Sequence, residues 1–476
     1  MWKRLLLFAV LGAAVRAQPA KIVGNWLGTL EAGPQKLRMG LHITANDKGE
    51  LTSSLDSLDQ NALGIPIKQT TFTNNKLHLD ILAPPAQYDG TLNSDGNEIA
   101  GTFAQGGARL PLQFKRVDKI PGRASRPQDP KPPYPYDSED VSYENKGIHL
   151  AGTLTLPRGQ GPFPAAVMIT GSGPQDRDET ILGHKPFWII ADYLARRGIA
   201  VLRVDDRGVG KSSGDSTQAA FDDLSGDVLA GVEYLKGRKE IDVKHIGVIG
   251  HSEGGMVGPL AATRSSDVAF VVMLAGTGVS FEQAVDSHLS QAELMMREAG
   301  APEEAIARNN ALQKMIFRVL RAESDSKIAV EKMRAELDNM KASLPEAQRK
   351  ALESPGAAAA ANQQFAWVTV PEMRSILLHD SGRTLHQLKA PVLALNCSRD
   401  MQVSAKLNLP AIAAALAEGG NSDFTLVELP GLNHLFQYCT KCTVAEYGEL
   451  DQTFSPTALL IMGDWLALHT RGQSER

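Results

Sequence analysis

The chain has 476 residues, 43% hydrophobic and 22% charged, with 49 basic against 54 acidic side chains for a net charge of −5. That is an ordinary globular composition, long enough at roughly 100–200 residues per domain for two or three domains with sizeable cores. With no long basic run, nothing favours a nucleic-acid partner, and three Cys exclude a disulfide scaffold, so the fold must rest on its core.

Residues 1–17 have the form of an export signal. Lys3 and Arg4 precede the apolar run Leu5 to Val15, and Val15 and Ala17 place small residues before a cut. The run is too short for a permanent span. The expected mature chain starts at Gln18 and works outside the cytoplasm, in the periplasm or secreted; the alternative is an uncleaved anchor.

Residues 21–117 follow a strand-and-turn grammar. Leu37, Met39, Leu41 and Ile43 alternate with Arg38, Gly40, His42 and Thr44, the period of a half-buried strand. Asp95-Gly96 is a hairpin signal, and Gly-Thr recurs at 28–29, 90–91 and 101–102. The expectation is a small antiparallel barrel or curved sheet without a catalytic constellation. Residues 118–137, rich in Pro, are expected to be an extended spacer.

From 138 to 476 strand and helix alternate. Apolar runs at Ala165–Thr170, Ile199–Val204, Ile246–Gly250 and Phe270–Ala275 are separated by helical stretches, which argues a mostly parallel sheet covered on both faces. Residues 281–380 break the rhythm with helical stretches at 293–298, 303–319 and 328–340. The insertion is too long for a crossover and is expected to be a cap over a site rather than a peripheral decoration. Pro391–Leu395 and Phe424–Glu428 resume the sheet, and Pro456–His469 closes the chain as a helix.

Gly250-His251-Ser252-Glu253-Gly254 is a G-x-S-x-G pentapeptide between a strand and a helix, the setting that exposes a nucleophilic Ser on a sharp turn. Such a Ser needs a base, and the base an orienting acid, in the order Ser, acid, His. Asp400 follows one late strand and His434 the next, both at carboxyl ends, where sites gather in open sheets. Asp380 is the weaker candidate acid. The oxyanion donors are expected to be the N–H groups of Glu253 and, in the Gly-rich turn after Thr170, of Ser172. Charged residues between Asp176 and Lys185, with Asp205, Asp206 and Arg207, are expected to hold these loops. Gly208-Val209-Gly210-Lys211-Ser212 lacks the spacing of a phosphate loop, and no metal-ligand spacing is present; no cofactor or metal is expected.

Four segments together resemble bacterial α/β-hydrolase esterases of the EstD kind, close to the serine aminopeptidase-like S33 hydrolases. They are Gly171-Ser172-Gly173-Pro174-Gln175-Asp176-Arg177-Asp178, Asp205 to Ser212, Gly250 to Gly255, and Pro430-Gly431-Leu432-Asn433-His434. The resemblance covers about residues 140–470. It implies an α/β-hydrolase fold with a β-rich domain in front, and carboxylesterase activity on short acyl esters with Ser252, Asp400 and His434 as triad. The substrate is then a small-molecule ester; a serine peptidase or aminopeptidase on short peptides, or a thioesterase, would use the same groups.

The triad would bring the Asp400 loop beside the His434 loop, so Cys397 should approach Cys439 and Cys442. A bridge from Cys397 to one of them, stapling acid loop to base loop, is preferred here over a local Cys439–Cys442 bridge with Cys397 as a buried thiol, or no bridge.

Overall fold

The computed structural model describes residues 21–32, 35–46, 49–60, 62–81, 85–120, 126–342 and 355–470, with 344, 346 and 349. The export-signal residues 1–17 lie outside the described residues, as do 121–125 of the Pro-rich segment. The chain forms two compact units, Met1–Ser125 and Arg126–Arg476.

The first unit is a closed barrel of β1 (Gly24–Ala32), β2 (Gln35–Ala45), β3 (Leu51–Ser57), β4 (Ala62–Thr73), β5 (Lys76–Ile81), β6 (Ala86–Leu92), β7 (Glu98–Gln105) and β8 (Ala108–Val117). Each strand pairs antiparallel with the next, and β1 pairs with β8 to remove both edges. Leu41, Ile43, Leu79, Ile99 and Phe114 fill the interior, as the period-2 pattern requires. Two of the recurring Gly-Thr phrases have a steric cause. Gly90 and Gly101 face each other across β6 and β7, and a Cβ on Gly101 would lie 2.6 Å from the Tyr88 ring, which fills that space and donates to Leu112 O at 3.0 Å.

The second unit is built on an eight-stranded sheet of order β16-β15-β14-β13-β11-β12-β10-β9. Its strands are β9 (Tyr136–Asn145), β10 (Ile148–Pro157), β11 (Phe163–Ile169), β12 (Ala200–Val204), β13 (Ile241–His251), β14 (Val271–Leu274), β15 (Val392–Cys397) and β16 (Phe424–Leu429). β9 and β10 run antiparallel at one edge, and the strands from β12 to β16 are parallel. Continuous apolar runs serve both faces: in β15, Val392 and Ala394 pack on one side while Leu393, Leu395 and Cys397 pack on the other. Helices α1 (Pro186–Ala195), α2 (Phe221–Lys236) and α3 (Gly254–Arg264) cover the sheet between strands.

The insertion carries α4 (Phe281–Asp286), α5 (Gln291–Glu298), α6 (Glu303–Ala322), α7 (Ser326–Ala342), α8 (Pro355–Val368) and α9 (Pro371–Leu378). It has a small core of its own. Met315, Ile316, Val319 and Leu320 form one stripe of α6 against Ala329 and Met333 of α7 and Phe365 of α8. Then α10 (Ser381–Gln387), α11 (Ala405–Glu418) and α12 (Pro456–Thr470) complete the unit. Part of the Pro-rich segment belongs to this unit. Gln128 accepts from Thr453 N and Phe454 N at 2.6 and 3.0 Å, and Arg126 donates to Leu450 O at 2.8 Å. Among the described residues no helix is long and apolar enough to cross a membrane.

Candidate active site

Ser252 stands between β13 and α3 with φ +53°, a backbone state uncommon for a residue with a side chain. Its N–H donates to Leu274 O on the neighbouring strand at 2.8 Å, and its carbonyl accepts from Gly255 N at 3.0 Å. The flanking glycines are steric necessities. A Cβ on Gly250 would sit 2.0 Å from Gly254 O, and one on Gly254 would sit 2.2 Å from Ile169 O. The turn is therefore pressed against the end of β11, and Ser252 is held there part-exposed.

Asp400 lies in the loop after β15 with its carboxylate fully enclosed. Its Oδ1 accepts from Gln402 N at 2.7 Å and Val403 N at 2.9 Å, and its Oδ2 lies 2.7 Å from His434 Nδ1. Two backbone donors on one oxygen leave the other for the imidazole. The His434 loop after β16 is built on Asn433, whose Oδ1 accepts from Leu435 N and Gln437 N at 3.0 Å each. The structure thus brings Asp400 and His434 together, on loops that leave the sheet beside the Ser252 turn. Among the described residues no hydrogen bond joins Ser252 to His434; such contacts are often long without substrate. Asp380 is elsewhere, capping α10 by accepting from Arg383 N at 2.9 Å.

The expected staple between the two loops is not made by cysteine. The disulfide joins Cys439 to Cys442, with Cα atoms 5.0 Å apart, and Cys397 is a buried thiol. The cause is strand alternation: Cys397 shares one face of β15 with Leu393 and Leu395, and its side chain enters the apolar layer that includes Phe436. Burial holds that thiol well above its usual pKa. Backbone hydrogen bonds join the loops instead, from Ser398 N to Leu429 O at 2.9 Å and Arg399 N to Leu432 O at 3.1 Å, with Gly431 N donating to Ser398 Oγ at 2.9 Å. Cys439, Cys442 and Glu446 also bring their ligand atoms within 4.8 Å of one another, but the sulfurs are joined and Glu446 accepts from the N–H groups of Thr440, Lys441 and Cys442.

The turn after β11 hangs from carboxylates. Gly171 N donates to Glu179 Oε1, Gly173 N to Glu372 Oε1 and Gln175 N to Asp206 Oδ2, each at 2.8 Å. Thr170 Oγ1 donates to Asp206 Oδ1 at 2.8 Å. The Ser172 N–H between them, like that of Glu253, donates to nothing among the described residues. A Cβ on Gly171 would lie 3.5 Å from Ser252 Cβ, so the turn passes directly beside the Ser. The turn beside Ser252 and the residue that follows Ser252 thus each carry a backbone N–H that donates to nothing among the described residues.

His251 ties these parts together. Its Nε2 donates to His434 O at 3.0 Å and its Nδ1 lies 2.9 Å from Glu179 Oε1. Burial opposes a charge on this ring, but the Glu179 carboxylate outweighs it and holds the pKa above its ordinary value. Of the charged residues expected to hold loops, Asp205 binds both the N–H and the guanidinium of Arg177, Arg207 binds Asp227, and Asp178 binds Arg203 and Lys185. His184 is buried against Thr453 and Tyr447 O, and burial lowers it to about 4.

A cavity of about 450 Å³ opens at Ser172. Thr277 and Val403 line it from the sheet side, and Met295, Phe317 and Ile376 line it from α5, α6 and α9, so the insertion roofs it. It is largely apolar, a shape suited to a small ligand.

The model of a family described as serine aminopeptidase, S33 matches residues 187–437. Esterase EstD of Thermotoga maritima is 35% identical over 204 residues, 42% of this chain and 47% of that protein, so the alignment spans about half the relative's length. Among solved structures, a Pyrococcus furiosus esterase aligns over 71% of this chain and 92% of its own at 16% identity, TM-score 0.42. Est1E from Butyrivibrio proteoclasticus, with ferulic acid bound, aligns over 71% and 100% at 16% identity, TM-score 0.38.

Proposed function

We propose that this chain, which belongs to the serine aminopeptidase S33 family of α/β-hydrolases, is a carboxylic ester hydrolase acting on short-chain acyl esters through Ser252, His434 and Asp400. The observation that carries the reading is the buried pair of His434 Nδ1 and Asp400 Oδ2, 2.7 Å apart, on loops beside a Ser held at φ +53°. Asp400 fixes the tautomer with Nδ1 protonated, which leaves Nε2 as a base for the Ser252 hydroxyl. Ser252 Oγ attacks the ester carbonyl and its proton passes to His434. The Ser172 and Glu253 N–H groups hold the oxyanion. Collapse returns the proton to the departing alcohol and leaves an acyl-Ser252, which water, activated by neutral His434, then hydrolyses. The scheme uses no cofactor.

The apolar cavity of about 450 Å³ supports a short acyl or small aromatic group. The same triad serves amide cleavage, so the discriminating experiment is a panel of p-nitrophenyl esters of increasing acyl length beside aminoacyl anilides and acyl thioesters. Higher kcat/KM on short esters than on every anilide and thioester is expected. An aminoacyl anilide that equals the best ester overturns the ester reading in favour of a peptidase.

We also propose that the protein works outside the cytoplasm. The apolar run after Lys3 and Arg4 supports export, and a Cys439–Cys442 disulfide suits an oxidising compartment. N-terminal sequencing of the exported protein should begin at Gln18.

A further inference from the structure

Behind the oxyanion turn is a second, smaller cavity of about 70 Å³, walled by Thr170, Gly173, Asp206, Glu253 and Glu372 among others. Five carboxyls line it: Asp205 and Asp206 from the loop after β12, Asp227 from α2, Glu253 from the start of α3 and Glu372 from the cap helix α9; Asp205 and Asp227 are each paired with an Arg, which leaves three. Two of them are engaged with the turn, Asp206 by Gln175 N and Thr170 Oγ1, and Glu372 by Gly173 N. Glu253 is different. It is only 6% exposed, and its Oε2 is buried without a partner among the described residues. The remaining charges facing this region are spent: Arg207 on Asp227, Asp205 on Arg177, and Glu179 on His251 and Gly171 N. Among the described residues no cation is left to offset a charge on Glu253, so an ionised carboxylate there would lack a counter-charge and its Oε2 would lack a donor.

We propose that Glu253, beyond lending its backbone N–H, is a positioning residue that supports the oxyanion site only while its side chain is a neutral carboxylic acid. This rests on the Ser252 hydrolase reading. Two physical effects follow from its ionisation. Once ionised, Glu253 repels negative charge on Asp206 and Glu372, the two groups from which the turn around Ser172 hangs. The same charge stands on the residue whose N–H receives the oxyanion, opposing the charge that develops there. The electrostatics agree with the geometry: burial, then the neighbouring Glu372 and Asp206, raise Glu253 well above the ordinary carboxyl range, and burial raises Asp206 to about 8. Because Glu253 and Asp206 interact, their two protons belong to the pair.

The test is an internal ratio, kcat/KM on a short p-nitrophenyl ester at about pH 9.5 against about pH 7.5, with spontaneous hydrolysis subtracted. A Ser–His pair alone gives a plateau there, since its base stays neutral as pH rises. The parent protein should instead lose about tenfold or more across the interval, as one essential proton leaves. In E253Q, which keeps shape and polarity without an ionisable proton, the loss should shrink to under about twofold. In E372Q, which removes one repelling charge and still accepts from Gly173 N, the fall should move to higher pH; this variant decides if E253Q does not fold. A parent without the fall overturns the inference, and so does an E253Q fall as steep as the parent's, which would point to His251 instead. Activity that depends on which monovalent cation is present at fixed ionic strength also overturns it, because the cavity would then hold an ion in place of the proton. Labelling of Ser252 by a fluorophosphonate keeps the two levels apart: no labelling sinks the hydrolase reading and this inference together, while labelling with unchanged ratios sinks this inference alone.

Discussion

Asp400→Asn separates the charge and proton-holding role of the acid from its role in loop structure. Oδ1 already accepts two backbone N–H groups, from Gln402 and Val403, and an Asn carbonyl placed there keeps both. The amide nitrogen then faces His434 Nδ1, where Oδ2 had lain at 2.7 Å. It is a donor, so the imidazole must present a lone pair at Nδ1 and carry its proton on Nε2, the wrong tautomer for deprotonating Ser252. A tautomer error of this kind costs about 10⁴-fold in kcat, roughly 5.5 kcal/mol of transition-state stabilisation. Stability should change by less than about 1 kcal/mol, since no backbone group is left unpaired. Stopped assays on a short aryl ester, paired with urea unfolding, give both numbers. Asp380→Ala is the control: it removes the α10 cap and should cost about 1 kcal/mol of stability while the rate holds. An Asp400→Asn protein that keeps more than about a tenth of parental kcat refutes the reasoning, and equal losses in the two variants refute the choice of acid.

The buried His251–Glu179 pair makes stability pH-dependent. The folded pKa of His251 lies above its ordinary 6.5, so its contribution is full below that value and is lost as pH rises through the folded pKa. Between those limits the parent should lose up to about 1.4 kcal/mol per pH unit relative to His251→Asn, measured as urea unfolding free energy as pH rises above 6.5; parallel curves for the two proteins contradict it. A fragment beginning at Arg126 should fold and keep ester hydrolysis, because no residue assigned to the site precedes it. A fragment beginning at Tyr136 loses the three Gln128 bonds to Thr453 and Phe454 and should be less stable by roughly 2–4 kcal/mol, read from its shift in denaturant midpoint. Reduction opens only the short Cys439–Cys442 loop, which the chain-entropy estimate values at roughly 2 kcal/mol, and should leave kcat unchanged; a large loss of activity on reduction would show that the disulfide supports the His434 loop.

Much of this architecture is legible in the chain because its signals are local. Alternation in Leu37–Ile43 marks barrel strands, and the unbroken apolar runs of the second unit mark strands buried on two faces. The glycines of the Ser252 turn are spaced by contacts within a few residues, so the pentapeptide carries its own geometry. The supports of the site are less legible. Glu372 reaches Gly173 across 199 residues of chain, and nothing local to it on α9 marks a polar contact. His251 and Glu179 meet across 72 residues, and His251 sits at the variable position of the pentapeptide. The cysteine pairing is misjudged from proximity because loop closeness says nothing about which face of β15 Cys397 occupies; its register with Leu393 and Leu395 decides that. α8 is difficult for a related reason, since a run of alanines favours helix without declaring a buried face.

Fluorophosphonate labelling followed by peptide mapping tests the nucleophile most directly. Ser252 as nucleophile predicts a single adduct on the peptide containing Gly250-His251-Ser252-Glu253-Gly254 in the parent protein. It also predicts no adduct, and ester hydrolysis reduced by several orders of magnitude, in a Ser252→Ala protein that unfolds at the parental temperature. An adduct on a different Ser, or a Ser252→Ala protein that is still labelled and still hydrolyses esters, would contradict it.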